Sequence, residues 1–341
     1  MNPPFRVLLA GCGGISRAWL SYAATHPDLD FVALVDLLPE NARTRQTEYD
    51  LDDALIETDL AHALATSAPD IVFNCTIPEA HTEVTLTSLQ AGCHVLGEKP
   101  LATSMQDAAA MVAAAQSADL IFAVIQNRRY LDGIVRYRDL VRSGQLGPLT
   151  TLNADFYIGA HFGGFRDEMA HVLLIDMAIH SFDQARFIAD ADPVSVYCHE
   201  WNPPGSWYAH GASAMAIFEM SNGLLFNYRG SWCAEGLQTA WACDWRAVGQ
   251  FGSARWDGED VISGEVVVGD EGFFRPKRPV EAAPHTPLTH TGHAGVIHEF
   301  IESIKEGQTP QTICTDNVKS LAMVYAAIES AETGRKVPVR Y

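Results

Sequence analysis

The chain has 341 residues, of which 42 are acidic and 23 are basic, so its formal net charge at neutral pH is −19. Hydrophobic residues make up 48% and charged residues 19%, which fits a packed globular protein and excludes a disordered one. The length suggests two domains or one large one. The excess of acidic residues argues against nucleic acid and anionic membranes as partners, because both are polyanions.

The cysteines and the apolar runs indicate a reduced, cytoplasmic protein. Seven cysteines are an odd number, are spread along the chain and form no C-x-x-C pair, unlike a disulfide framework or a zinc module. No apolar run approaches the about 20 residues that cross a bilayer. Val7–Ala10 is too short for the core of a signal peptide. We therefore expect a soluble protein with no membrane partner.

The first third of the chain alternates short apolar runs with helix-like stretches. The apolar runs are typical of strands buried on both faces: Val7–Ala10, Phe31–Val35, Ile71–Cys75, His94–Leu96 and Leu120–Ile125. The helix-like stretches between them are Arg17–Ala24, His81–Ala91 and Met105–Ala118. This alternation predicts an α/β fold with a parallel, doubly wound sheet, the Rossmann arrangement, over residues 1–127.

The pattern changes after about residue 127, and we assign residues 128–341 to a second domain. A helix-like stretch at Ile134–Ser143 is followed by one amphipathic helix at His171–Ile188. The β-type runs of this part predict an antiparallel sheet: Thr150–Tyr157, Val194–His199, Ala214–Glu219, Leu224–Trp232, Trp241–Val248 and Val261–Val268. A Pro-rich loop at Phe273–Pro287 then precedes two closing helices, about His293–Lys305 and Asp316–Glu332.

A glycine-rich turn follows the first predicted strand directly. Its sequence, Gly11-Cys12-Gly13-Gly14-Ile15-Ser16, matches G-x-G-x-x-[small] between a strand and a helix. The first glycine permits the tight turn, and the second lets the backbone approach a pyrophosphate at the positive end of the helix. The turn therefore predicts dinucleotide binding, and a purely structural turn is the alternative.

An acidic residue ends the second predicted strand and selects between the two nicotinamide dinucleotides. The carboxylate of Asp36 can bind both ribose hydroxyls of NAD, and it would repel the 2′-phosphate of NADP. Arg43 or Arg45 would favour NADP instead if either side chain folded back towards that phosphate. We predict NAD, with NADP as the alternative.

Two charged residues and a proline, Glu98-Lys99-Pro100, follow the strand His94–Leu96 and Gly97. Ligands bind beyond the carboxyl ends of strands in open α/β sheets, so Lys99 is expected over the cofactor cleft. Its ammonium group would stabilise the alkoxide that forms as a hydride leaves. A surface Glu–Lys pair of little consequence is the alternative.

An Asp-x-x-x-His pattern stands in the helix-like stretch at His171–Ile188. Asp176 is the one charged residue between Val172 and Ile179, and it precedes His180 by four positions. Residues four apart share a helix face, so the carboxylate would orient the imidazole and support its cationic form. Such a pair makes a general base near neutral pH. The alternative is a structural Asp–His pair in the core, in which each side chain only provides the hydrogen bond that the other needs.

Together these motifs resemble the Gfo/Idh/MocA oxidoreductases, the family of glucose–fructose oxidoreductase and inositol 2-dehydrogenase. The matching segments lie in order along nearly the whole chain: GCGGIS, Asp36, Ile77–His81, Ala91–Val95 leading to Glu98-Lys99-Pro100, Asn127–Arg129, and Asp176 with His180. The resemblance implies a Rossmann domain followed by an α/β domain with a large, mostly antiparallel open sheet. It also implies oxidation of a secondary alcohol on a sugar, polyol or inositol-like ring.

The resemblance also implies roles for individual residues. Lys99 is expected to be the catalytic lysine, His180 the acid/base, and Asp176 its partner or a substrate ligand. The expected cofactor-binding residues are Gly11, Gly13, Gly14, Ile15, Ser16, Asp36, Thr76, Pro78, His81, Glu98 and Lys99. Near the substrate we expect Arg128, His161 and Arg166, and also His171, which lies where many members have a glycine-rich stretch.

Two groups of residues outside these motifs are interpreted as structural. Four histidines lie near the penultimate helix, but their spacing does not suit one metal ion, so no metal is predicted: His285, His290, His293 and His298. Six of the seven tryptophans lie between Trp201 and Trp256. They are expected in the core of the second sheet and in a subunit interface, which would make the protein a homo-oligomer, a dimer or tetramer. Stacking on a sugar is the alternative.

The leading hypothesis is an NAD-dependent dehydrogenase acting on a small carbohydrate or polyol. One alternative is an enzyme that uses NAD transiently, as in family members that cleave glycosides by oxidation, elimination and re-reduction. Another is a non-catalytic regulator that senses ligands on the same fold. The presence of both Lys99 and His180 favours an enzyme over the regulator.

Overall fold

The computed structural model describes residues 3–280 and 284–341. Its strands are β1 (Phe5–Ala10), β2 (Leu29–Val35), β3 (Leu55–Glu57), β4 (Ile71–Asn74), β5 (His94–Gly97), β6 (Phe122–Val124), β7 (Leu149–Tyr157), β8 (Pro193–Trp201), β9 (Ser213–Met220), β10 (Leu225–Ser231), β11 (Asp244–Gly249), β12 (Gly252–Trp256), β13 (Ile262–Val267), β14 (Lys277–Pro279) and β15 (Val337–Pro338). Its α-helices are α1 (Ser16–Ala23), α2 (Pro39–Glu48), α3 (Leu60–Ser67), α4 (His81–Gln90), α5 (Met105–Ala118), α6 (Asp132–Arg142), α7 (Phe165–Glu168), α8 (Ile179–Ala189), α9 (Gly292–Glu306) and α10 (Cys314–Thr333). Within the described ranges, no helix has the length and apolar character needed to span a membrane.

The chain divides into two compact units. The first comprises Met1–Asn127 and Thr289–Val318, and the second comprises Arg128–Leu288 and Lys319–Tyr341. The division into domains at residues 1–127 and 128–341 remains our proposal. Helix α9, near the end of the chain, packs within the first unit.

The first unit is built on a six-stranded sheet in the order β3-β2-β1-β4-β5-β6. All of its neighbouring strands run parallel, so the predicted doubly wound sheet is confirmed. β4 is buried throughout and β1 is buried from Val7 to Ala10, because helices cover both faces of such a sheet. The strand order reverses between β1 and β4, and ligands bind beyond the carboxyl ends of the strands at such a point.

Three elements of this unit were not predicted: β3, α2 and α3. β3 has only three residues, too few to show a period. α2, with the sequence PENARTRQTE, is polar on nearly all sides and carries no apolar stripe. α3 begins at an N-cap, where the Asp59 side chain accepts a hydrogen bond from the backbone N–H of His62.

The second unit is built on a nine-stranded sheet in the order β14-β13-β12-β11-β7-β10-β9-β8-β15. Every neighbouring pair is antiparallel except β7 and β10, so the predicted mostly antiparallel sheet is confirmed. α8 lies on one face of it, where Phe182 packs edge-on against Phe218 of β9 and Tyr228 of β10. This contact fixes the helix that carries His180.

The structure differs from the predicted strands of this sheet in the start of β11 and in three short strands that were not predicted, β12, β14 and β15. β11 begins at Asp244 and not at Trp241, because Cys243 has a left-handed backbone with φ of 71°. The short strand β12 was missed. Within the predicted loop Phe273–Pro287, residues 277–279 form β14, and residues 281–283 lie outside the described part of the chain.

The predicted helix His171–Ile188 is not a continuous α-helix. His171 has φ of 54°, and Leu173–Ala178 form a π-helix that precedes α8. A π-turn accommodates one more residue than an α-turn and is frequent at functional sites. Asp176 lies in this π-helix, so the simple four-residue spacing to His180 no longer defines a shared face.

Candidate functional site

The glycine-rich turn links β1 to α1, as its sequence predicts. Gly11 has φ of 86°, and a Cβ atom there would lie 2.6 Å from the backbone of Cys75. A Cβ atom at Gly13 or Gly14 would meet no atom within 4 Å. The first glycine is therefore required by the fold, whereas the next two leave open space beside the backbone.

Side chains that follow β2 and lie in α2 form hydrogen bonds with this turn. Asp36 accepts hydrogen bonds from the backbone N–H groups of Cys12 at 2.8 Å and Leu38 at 2.9 Å. The buried Arg45 of α2 donates to the Ser16 hydroxyl at 3.0 Å and to the Gly13 carbonyl at 3.2 Å. Arg45 thus stabilises the turn, a role that could not be predicted from the sequence.

The carboxyl ends of β4 and β5 gather more of the predicted residues. The His81 ring lies between two backbone carbonyls, with Nδ1 2.7 Å from the Pro100 oxygen and Nε2 3.1 Å from the Thr76 oxygen. Burial lowers the pKa of His81, so its ring is neutral at pH 7. Thr76 itself donates to Asn74 at 2.6 Å. Pro78 begins a single 3₁₀ turn that leads into α4.

The Glu98 carboxylate is buried and held from several sides. It accepts a hydrogen bond from the Trp19 indole at 2.8 Å and one from the backbone N–H of Lys99 at 3.1 Å. The His293 Nε2 atom lies 3.9 Å from it, and His293 Nδ1 lies 3.2 Å from the Asn127 amide nitrogen. Burial lowers the pKa of His293. Sequence reasoning missed Trp19 and His293 as supports for the Glu98–Lys99 strand end.

In the second unit, the Asp176 carboxylate is held by an arginine of the short helix α7. Arg166 of α7 donates to it through Nε at 2.8 Å. The guanidinium also lies over the rings of Phe162 and Phe165, 4.9 and 4.8 Å from their centroids. Two predicted residues are thereby brought together, and the place of Arg166 near the substrate remains a prediction.

The Arg128 guanidinium donates to the backbone carbonyl of Trp241 and to the Met177 sulfur, the latter at 3.2 Å. Met177 follows Asp176 in the π-helix, so this arginine borders the same segment. Burial lowers the pKa of Arg128 to about 10. His180, the second residue of α8, is itself buried.

The two remaining predicted residues are engaged elsewhere in the second unit. His171 Nδ1 lies 2.5 Å from Glu200, and this contact raises the pKa of its imidazole. His161 lies 2.9 Å from Glu235 and stacks on Trp207 with ring centroids 3.6 Å apart. Neither contacts Arg166 or Arg128 among the described residues, so their roles near substrate remain predictions.

The comparisons with known proteins agree with this geometry. A family model described as "Oxidoreductase family, NAD-binding Rossmann fold" matches residues 5–126, and one described as "GFO/IDH/MocA C-terminal domain" matches residues 134–255. The chain belongs to the Gfo/Idh/MocA family of oxidoreductases. The resemblance inferred from the motifs is therefore confirmed.

Individual members of the Gfo/Idh/MocA family align with nearly the whole chain. A 1,5-anhydro-D-fructose reductase from Ensifer adhaerens is 24% identical over 97% of each chain. An inositol 2-dehydrogenase from Rhizobium meliloti is 24% identical over 97% of this chain and 98% of its own. An oxidoreductase from Agrobacterium radiobacter, solved with NAD⁺, L-tartaric acid and magnesium, has a TM-score of 0.84, 21% identity and 98% coverage of both chains.

The residues of this family member fit NAD, the cofactor of its Rossmann domain. The open space over Gly13 and Gly14 suits a pyrophosphate, which the backbone N–H groups at the start of α1 would bind. Asp36 lies at the end of β2, where a carboxylate binds ribose hydroxyls. No group of three or more histidine, cysteine, aspartate or glutamate residues in the described ranges is arranged to hold a metal ion.

Replacing Asp36 tests the predicted preference for NAD over NADP. We expect Asp36→Ala to raise the KM for NAD by about 10- to 100-fold, the effect of losing hydrogen bonds to a charged group. We expect the KM for NADP to change far less, because a repulsive charge is also removed. Initial rates with both cofactors measure this, and Asp30→Ala, an exposed position of β2, is the control. An unchanged preference for NAD would contradict the role of Asp36.

Proposed function

We propose that this protein oxidises a secondary alcohol of a sugar, polyol or inositol-like substrate and passes the hydride to NAD⁺. The observation that carries the proposal is the Glu98–Lys99 strand end, which Trp19 holds at the carboxyl edge of the parallel sheet. Relatives named as an inositol dehydrogenase and an anhydrofructose reductase support the substrate class.

The proposed chemistry gives each motif residue its own role. His180 acts as general base and takes the proton of the substrate hydroxyl. The Lys99 ammonium stabilises the oxygen as negative charge develops on it. Asp176, held by Arg166, orients the reacting groups. When bound, NAD⁺ supplies the acceptor for the hydride that leaves the carbinol carbon, which becomes a ketone.

A substrate panel tests the proposal. Purified protein is incubated with hexoses, pentoses, inositols, glycosides and sugar acids, each with NAD⁺ and with NADP⁺, and the absorbance of the reduced cofactor is followed. We expect net reduction of NAD⁺ with at least one class. Consumption of a glycoside without net NADH would favour the redox-neutral alternative, and turnover of no member of the panel would favour the regulator.

We further propose that the protein forms a homo-oligomer through the open face of the nine-stranded sheet. Tyr197 of β8 is directly opposite Ile217 of β9, and Met215 lies on the same face; each is 45–48% exposed. Contiguous exposed apolar side chains on a sheet are typical of protein interfaces. On this face Arg229 and Asp155 pair at 2.7 Å, which gives the patch a polar border.

Placing a charged residue in this apolar patch tests whether the protein forms an oligomer through it. We expect Ile217→Lys to lower the molar mass measured by light scattering after gel filtration, because a buried charge would disrupt the interface. Val268→Lys, a similarly exposed position beyond β13, is expected to leave the mass unchanged. A wild-type monomer, or equal masses for wild type and Ile217→Lys, would contradict the proposal.

A further inference from the structure

Arg128 differs from the buried arginines of this chain in what its guanidinium contacts. Each of those forms an ion pair with a carboxylate: Arg45 with Glu48, Arg129 with Asp183, and Arg186 with Asp192. Within the described residues Arg128 contacts only neutral acceptors, the Trp241 carbonyl and the Met177 sulfur.

An unpaired cation in packed surroundings is energetically costly. Burying a charge is tolerated when it is paired with an opposite charge or binds a ligand. These two contacts use two of the five N–H donors of a guanidinium, which leaves donors for another acceptor. Arg128 is partly exposed, so a ligand can reach this residue.

No carboxylate in the described part of the chain forms an ion pair with Arg128. Asp176 is close enough to raise the pKa of Arg128, but its carboxylate is engaged by Arg166 at 2.8 Å. Cys243 and Tyr228 also lie close, and burial raises the pKa of both, so they are neutral at pH 7.

We propose that the substrate of this enzyme carries a carboxylate, which Arg128 binds; the preferred substrate class is therefore sugar acids such as uronates or aldonates. The inference rests on the proposed dehydrogenase function and names its substrate. A planar guanidinium matches the two oxygens of a carboxylate. One unpaired guanidinium balances the single charge of a carboxylate, whereas a phosphate monoester carries nearly two.

Matched pairs of substrates test the inference. Each pair differs in one group: D-glucuronate and D-glucose, D-galacturonate and D-galactose, D-gluconate and D-glucitol, with D-glucose 6-phosphate as a second anion. The kcat/KM of each is measured with NAD⁺ for wild type, Arg128→Gln, Arg128→Lys and Arg340→Gln. Arg340 is exposed, so its variant is a control for the same loss of charge.

We expect wild type to prefer the acid of at least one pair by about 10- to 100-fold, the range for a hydrogen-bonded charge. Arg128→Gln should remove that preference, Arg128→Lys should retain part of it, and Arg340→Gln should retain all of it. Equal or better turnover of the neutral sugars, or of the phosphate, would overturn the inference and leave the dehydrogenase function intact.

If no sugar is oxidised, the proposed function fails, and binding decides the inference separately. D-glucuronate with NAD⁺ should then raise the melting temperature of wild type but not of Arg128→Gln, whereas D-glucose should raise neither. Absence of that difference would overturn the inference. If Arg128→Gln does not fold, Arg128→Lys is compared with wild type in the same way.

Discussion

Replacing Lys99 with alanine is expected to lower kcat by about 100- to 1,000-fold, the usual loss when one group that stabilises an oxyanion is removed. Lys99 follows β5 at the carboxyl edge of the parallel sheet, and its backbone N–H is anchored on Glu98. Truncating the side chain removes the ammonium group and leaves that anchor in place. The glycine-rich turn and Asp36 are also untouched, so NAD affinity should change little.

Three measurements separate a catalytic role of Lys99 from a structural one. The Kd for NAD is obtained from quenching of protein fluorescence, and kcat from initial rates. Added methylammonium should restore part of the activity of Lys99→Ala, because a structural defect would not respond to it. Lys305→Ala, which removes an exposed lysine paired with Asp28 at 2.9 Å, is the control. Near-normal turnover of Lys99→Ala would refute its assigned role.

Replacing Asp183 with alanine is expected to destabilise the second unit by about 3–5 kcal/mol, the cost of removing one partner of a buried ion pair. Asp183 is 1% exposed and accepts hydrogen bonds from Arg129 at 2.6 and 2.7 Å and from Ser320 at 2.8 Å. Arg186 lies 3.9 Å from the same carboxylate. Its removal would leave the buried Arg129 without this counter-charge.

Urea denaturation followed by tryptophan fluorescence measures this effect. Six of the seven tryptophans lie between Trp201 and Trp256, in the same unit as Asp183, so the signal reports on that unit. Glu265→Ala is the control, because it removes the partner of Lys277 from an exposed pair worth at most about 1 kcal/mol. A free energy of unfolding that falls equally in both variants would contradict the buried-pair argument.

The architecture of both units follows from local patterns in the sequence. The apolar runs of the first third correspond to β1, β2, β4, β5 and β6, because strands buried on both faces must be apolar throughout. The turn between β1 and α1 is predictable for a similar reason, since only glycine fits at Gly11 beside the backbone of Cys75. These features depend on neighbours in sequence or on a single steric requirement.

The side-chain partners in the site could not be predicted in this way. Glu98 is held by Trp19, 79 positions earlier, and the two are brought together by the fold alone. The pairing of Asp176 with Arg166 depends on a loop whose path the sequence pattern does not reveal. The π-helix at Leu173–Ala178 adds a residue to the turn without any change of composition, so periodicity predicts an ordinary α-helix there.

The net charge of −19 argues against polyanionic macromolecules as partners. It does not oppose the anionic substrate proposed for Arg128, because a local unpaired cation outweighs the average charge of the surface for a ligand that touches it. Total charge thus bears on polyanionic macromolecules, and it does not decide the charge of a small substrate.

The central claim, net hydride transfer from a carbohydrate alcohol to NAD⁺, is tested most directly by a single-turnover experiment. The wild-type protein, in excess over NAD⁺, is mixed rapidly with the best substrate of the panel, and absorbance at about 340 nm, where reduced nicotinamide absorbs, is recorded. We predict that one NADH forms for each NAD⁺ supplied and that an equal amount of ketone product accumulates. Product without lasting NADH, or no NADH with any substrate, would contradict the account.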